Sequence, residues 1–373
     1  MAYSGKCRIY TIILISIISL SFFSDAFADD EYIPFAFIYS NYSRSPDDSV
    51  IASLVSYKSS SRSFLFNKSL FIFDYNANSN SYIIDSDNHI NQIFPDSFSW
   101  LDNNILFISA KGNDDKRYSL YEFNLKNKSF SLFLASHMGK NIYYSSVSPD
   151  RKNVACLEGI KNKNRIIIYD INNKSYKKIS NKANFIRPIW FSENELIFAK
   201  HNTLYLYNIE SRESKYKYNI PKGYKIAYVL YSKYNRYLVV SVYKEIIPVL
   251  ENQVKLLIIN TQGFILEKEF EYFNDTPRFD YYRNNIVLSK QSINYFSNIW
   301  LYDIDKESWA EITNGCVNDL MLILIRDKII FYRMLEGIVK YSISDKKIES
   351  TDETNMILNN NTKIEYFLYK RHE

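Results

Sequence analysis

Glycine is scarce in this chain, with 8 residues in 373. They stand at positions 5, 112, 139, 159, 223, 263, 315 and 337, so neither a G-x-S-x-G elbow, a G-x-G-x-x-G turn nor a P-loop can be written. Histidine is rarer still: His89, His137, His201 and His372 are scattered, with no two at a spacing such as H-x-x-x-H. A histidine-rich metal centre is therefore not expected, and each histidine reads as a surface or turn residue. Cysteine is limited to three, and once Cys7 is set aside with the leader, Cys156 and Cys316 are too few for a disulfide framework. Two small buried apolar residues fit them better than a bridge. An excess of one charge is also missing. The formal net charge is +5, and removing Lys6, Arg8 and Asp25 with the leader takes it to +4. That balance is too mild to argue for nucleic acid or an acidic membrane as a partner. No long stretch spaces its apolar residues at three and four, so amphipathic helices are not expected.

The first 28 residues carry the three parts of a secretory signal. Lys6 and Arg8 give a positive start, "IYTIILISIISLSFF" (9–23) an apolar core, and Ala26-Phe27-Ala28 a small-x-small cleavage site. The apolar run is shorter than the roughly 20 residues a bilayer span needs. The expected product is an exported chain of residues 29–373, periplasmic or secreted, with no transmembrane span after cleavage.

What the sequence has in abundance is aromatic and β-branched residues, the composition of strands. Aromatics alone make up 17%. One phrase recurs: "RIIIYDINNKSYKKI" at Asp170 has relatives at Asp74, Asn124, Asn208, Asn260, Asp303 and Ser342. Their spacings of 50, 46, 38, 52, 43 and 39 residues match four strands plus their turns. Each phrase is an apolar strand ending in a side chain that can bond its own backbone and start a tight turn. Upstream of each lies a polar corner and a second apolar strand, as in "SPDRKNVACLEG" (148–159) and "IWFSENELIFAK" (189–200). The expected fold is an all-β propeller in one domain. Seven anchors indicate seven four-stranded blades, with six or eight as alternatives, and the tail at 356–370 is a candidate to close the ring beside residues 31–39.

The corners carry a resemblance. Ser45-Pro46-Asp47, Ser148-Pro149-Asp150 and the aromatic residues Trp100 and Trp190 make the repeat similar to the TolB-type propellers, whose blades hold a Trp-Ser-Pro-Asp-Gly-like corner. Two departures matter. The corner glycine is absent throughout, and the α/β domain that precedes the propeller in TolB has no counterpart here, so the role of TolB in the Tol-Pal system is not carried across.

No catalytic residue, metal or cofactor is assigned from the sequence. "DYNANSNSYIID" (74–85) places Asp74, Asn76, Asn78 and Asp85 at calcium-loop positions, but Ser79 replaces the glycine of the sharp turn, and a polar blade turn fits better. Propellers bind at the mouth of the central channel, so the candidates are polar residues ahead of the inner-strand corners: Arg187, Asp96, Tyr143, Lys225, Arg278 and Asp319. Arg187 leads, since it precedes Pro188 and Trp190 in a well-matched corner and arginine is favoured at binding hot spots. The expected function is non-catalytic binding of a protein partner or cell-envelope component. The alternative is a propeller lyase or hydrolase acting on a carbohydrate or peptide through channel carboxylates and tyrosines.

Overall fold

A computed structural model describes residues 36–352 apart from 59–65, 75–78, 84–89, 95–96, 113–114, 137–138, 161–162, 232–233, 235, 247–250, 274–278, 292–296, 314–318 and 334–336. The leader, Asn76, Asn78 and Asp85 of the calcium-like loop, Asp96, Arg278, Cys316, the tail and every histidine but His201 lie outside the described residues.

Seven sheets follow one another along the chain, each built from consecutive strands paired antiparallel. Taken in order, they are the blades of a propeller. Their innermost strands are Ala36–Arg44, Asn141–Val147, Ile189–Trp190, Lys225–Tyr231, Phe279–Tyr282 and Asp319–Ile325, while blade 2 uses two segments, Ile90–Ile93 and Ser99–Trp100. Both segments of blade 2 pair with the same second strand, Ile105–Gly112. No helix long and apolar enough to cross a membrane occurs among the described residues.

Period-two patterning explains the packing. In Asn153–Ile160, Val154 and Cys156 face the seam with blade 2, beside Phe107 and Leu120. Their neighbours Ala155 and Leu157 face blade 4, beside Trp190, Leu196 and Phe198. A strand buried on both faces needs apolar residues at successive positions, and "VACL" supplies them. Each fully buried Ile or Leu contributes about 1.5–3 kcal/mol. Cys156 is one of these seam residues. Burial, with Glu158 nearby, pushes its thiol well above the usual range.

The turn chemistry read from the sequence is present. Asn124, Asp170, Asn208, Asn260 and Asp303 each accept backbone N–H bonds from residues two or three ahead, at 2.8–3.5 Å. At Asp170 the Asn173 amides hold the carboxyl below its ordinary value. In the corners, Ser45 Oγ accepts from Val50 N at 2.9 Å and donates to Asp47 at 2.7 Å. Ser148 repeats this with Asn153 N at 2.9 Å and Asp150 at 2.6 Å. Burial alone would raise the Asp47 carboxyl, but donors from Ser49 and Ser45 hold it below the usual value.

Scarce glycine leaves a trace in the backbone. Asp48 and Arg151 occupy the corner position where TolB-type repeats carry glycine, and their φ angles are 57° and 62°. Lys128, Lys174, Arg212 and Lys346 close the turns between third and fourth strands at φ of 54°, 51°, 61° and 54°. A non-glycine residue in this region costs about 1–2 kcal/mol, against a loss of about 0.4–1 kcal/mol from the added freedom of glycine in the unfolded chain. Replacing both Arg151 and Lys174 by glycine is therefore expected to raise the urea midpoint, by about 1 kcal/mol of stability in total. A lowered midpoint would contradict this reading of the turns.

Tryptophans latch neighbouring blades. Trp100 Nε1 donates to Ser43 O at 3.1 Å, from blade 2 to blade 1, and Trp190 Nε1 to Ser146 O at 2.7 Å, from blade 4 to blade 3. Each indole also fills its seam, so one side chain supplies both burial and a satisfied N–H.

Candidate binding face

The blade topology sorts residues to two ends of the axis. Inner strands begin at one end, which also carries the connections between blades and the hairpins joining second to third strands. The corners and the turns between third and fourth strands lie at the other.

At the corner end, polar groups of the inner strands are engaged with one another. The Arg44 guanidinium pairs with Asp280 of blade 6, donates to Leu324 O of blade 7 and lies 5.3 Å from the Tyr282 ring centroid. Asp280 Oδ2 also accepts from Leu324 N at 2.6 Å, and Oδ1 from Tyr281 N at 2.8 Å. Asp48 accepts from the hydroxyls of Tyr234 and Tyr282, both at 2.9 Å, joining blade 1 to blades 5 and 6. These bonds hold the first blade against the last three.

The opposite end presents aromatic rings. Phe94, Tyr118, Tyr143, Tyr144 and Phe185, from blades 2, 3 and 4, have neighbouring centroids 4.8–6.3 Å apart, most of them tilted or edge-to-face. Phe185 is 47% exposed. Local structure explains each placement. Ser97 Oγ donates to Phe94 O at 2.8 Å and accepts Ser109 N at 3.1 Å, fixing the break in the inner strand of blade 2. Tyr118 N donates to Asn141 Oδ1 at 3.0 Å, and Ile142 N to Tyr118 O at 2.8 Å, which ties the rings of blades 2 and 3 together. A register shift between Ile142 and Tyr144 bulges the strand at Tyr143 and re-aims that side chain.

Polar groups border the rings. Asn141 Nδ2 donates to the Tyr143 hydroxyl at 3.0 Å, which leaves the phenolic hydrogen to donate outward. Lys111 Nζ lies 4.7 Å from the Tyr118 centroid and donates to Gln92 Oε1 at 2.9 Å. Burial, then Tyr143, raises the Tyr118 hydroxyl above its ordinary value, so it stays protonated at neutral pH. Gly139 turns at φ 78°, and a Cβ there would stand 3.2 Å from the Arg117 guanidinium that lies across it. The arrangement can stack flat apolar surfaces and donate hydrogen bonds around them.

The sequence-derived candidates divide. Tyr143 joins the aromatic cluster. Arg187 donates to Ser145 O at 3.0 Å and to Phe98 O, bracing blade 4 against blades 3 and 2. Lys225 is exposed at the first position of its inner strand, 5.8 Å from the Tyr243 centroid. Asp319 opens the inner strand of blade 7, its backbone in register with Arg333 of the second strand. Sequence reasoning missed Phe94, Tyr118, Tyr144 and Phe185. The available signal was recurrence: Phe94, Tyr143 and Phe185 each stand a few residues before the corner of one of three successive blades. Among the described residues no three His, Cys, Asp or Glu side chains are grouped to hold a metal.

No protein-family model matches the sequence. No curated protein matches it either. Solved structures do. The chain is similar to an oligogalacturonate lyase in complex with manganese, at 12% identity and a TM-score of 0.53, over 79% of this chain and 86% of that one. It is similar to the β-propeller domain of the trilobed protease from Pyrococcus furiosus, at 17% and 0.50, over 70% and 83%. A third likeness is to a prolyl endopeptidase, at 10% and 0.58, over 85% of this chain and about half (49%) of that one. At such identities the likeness carries architecture alone, and the architecture is the β-propeller.

Proposed function

We propose that this chain is an exported, non-catalytic propeller of the TolB type that holds a protein partner or cell-envelope component at the mouth formed by blades 2, 3 and 4. The five-ring cluster around Tyr143 carries the reading, because ring faces and a hydroxyl donor are offered at one end of the axis while the polar groups of the other end bind each other. The leader-like first 28 residues support export to the periplasm or beyond. The Ser-Pro-Asp corners at 45–47 and 148–150, with the backbone conformation of the missing glycine retained, support the TolB-type assignment.

The test compares capture from an envelope fraction by the mature chain and by the Tyr143→Ala/Phe185→Ala variant. Aromatic anchors at binding centres contribute about 2–4 kcal/mol each, so the species held by the natural chain should be lost from the variant. Equal retention by both, or turnover of an envelope polymer by the purified chain, would overturn the reading.

A further inference from the structure

Within blades 2 to 4 the acidic side chains are segregated along the axis. At the mouth end of blades 2 to 4, the described loops and strand ends include Lys111, Arg117, Lys140, Lys163, Lys182 and Lys222, four of them exposed. The described acids of that end are Asp115 and Glu158. Glu158 is buried, ion-paired with Arg165, and 3.8 Å from Lys140 Nζ. The corner end of the same blades interleaves its lysines with Asp102, Asp150, Asp170, Glu193, Glu195 and Glu210. A lysine-rich composition would raise lysine at both ends alike, so it does not explain the asymmetry.

Cations on the same rim of the propeller as the aromatic rings select among ligands. An anion alone would use the lysines and leave the rings idle, and a neutral sugar would use the rings and leave the lysines idle. A saccharide bearing carboxylates has an apolar C–H face for stacking, hydroxyls for Tyr143 and Gln92, and repeated negative charge for the rim. Single-stranded nucleic acid also combines charge with stacking. It is disfavoured by the leader-like first 28 residues and by a net charge of only +4 once they are set aside.

We propose that the ligand of this mouth is an acidic oligosaccharide, its carboxylates facing the lysine and arginine rim and its rings stacked against the Phe94–Tyr143–Phe185 cluster. This rests on the mouth being the binding site, and the experiment separates the two ideas. The mature protein is titrated with alginate oligomers and with polygalacturonate, and with neutral dextran, poly-L-glutamate and oligo-dT for comparison. Binding to both polyuronates is expected, weakening as salt rises, with dextran and poly-L-glutamate at least about tenfold weaker. Lys163→Glu/Lys182→Glu should lose roughly tenfold in polyuronate affinity at low salt. Lys126→Glu/Lys347→Glu, at the corner end, should change nothing.

Each adverse result overturns a specific part. Failure to bind either polyuronate, equal binding of dextran or poly-L-glutamate, tighter binding of oligo-dT, or indifference to Lys163→Glu/Lys182→Glu overturns the ligand class and leaves the mouth to the capture experiment. Polyuronate binding that survives Tyr143→Ala/Phe185→Ala overturns the mouth itself.

Discussion

Replacing Arg44 by alanine is expected to cost about 3–5 kcal/mol of folding stability, a large fraction of the roughly 5–15 kcal/mol typical of a domain. Asp280 is 5% exposed and its carboxylate is held by one cation and two backbone N–H groups. Without Arg44 those amides remain, but an uncompensated charge is buried between blades 6 and 7, and Leu324 O loses a donor. The effect should reach the whole ring. Among the described residues blade 1 is built from the first four strands and blade 7 from the last four, so they meet through side chains instead of a shared sheet. Urea unfolding should show a lower midpoint. Arg44→Met with Asp280→Leu should recover part of the loss, the remainder reflecting unsatisfied Leu324 groups. A single variant within about 1 kcal/mol of the natural chain would show that Arg44 does not hold the ring closed.

The second large effect belongs to Asp48. Its carboxylate is buried and accepts from two tyrosines contributed by other blades. Hydrogen bonds to a charged group are worth about 1.5–3 kcal/mol when buried and less at the surface. Tyr282 is 4% exposed and Tyr234 47% exposed, so Tyr282→Phe should be the costlier change. Removing both hydroxyls should cost about 3 kcal/mol or more, since Asp48 then loses both phenol donors. The same pairing sets an alkaline limit. Burial, followed by the bond to Asp48, pushes the Tyr282 hydroxyl up to about 12. Because the folded value lies above the unfolded value of about 10, its contribution is complete below pH 10 and lost as pH rises toward 12. Unfolding followed by circular dichroism should show stability falling across that window, and falling less steeply in Tyr282→Phe. An identical pH profile in both proteins would contradict the assignment.

Local chemistry was legible in the sequence because it repeats. Asp170 and its relatives head turns, Ser45 and Ser148 organise corners, and the alternation in "VACL" serves two seams, all through residues within a few positions of one another. Groups that act across the axis were not legible. Arg44 and Asp280 are 236 residues apart, and Asp48 and Tyr234 are 186 apart, so only closure of the ring brings them together. Arg187 has the residue type and neighbours of a binding hot spot. Its donors are directed to carbonyls of two neighbouring blades, a use that depends on inner-strand spacing. The aromatic mouth was hidden by composition: where 17% of residues are aromatic, Phe94 or Phe185 alone carries no signal. Their recurrence shortly before three successive corners does.

The most direct test of the mouth is photo-crosslinking in the cell envelope, with benzoylphenylalanine placed at Phe185 in one chain and at Lys126 or Lys347 in others. Adducts are predicted from position 185 and not from 126 or 347, whatever the chemistry of the ligand. Adducts arising at the corner end, with none from position 185, would contradict a binding mouth on blades 2 to 4.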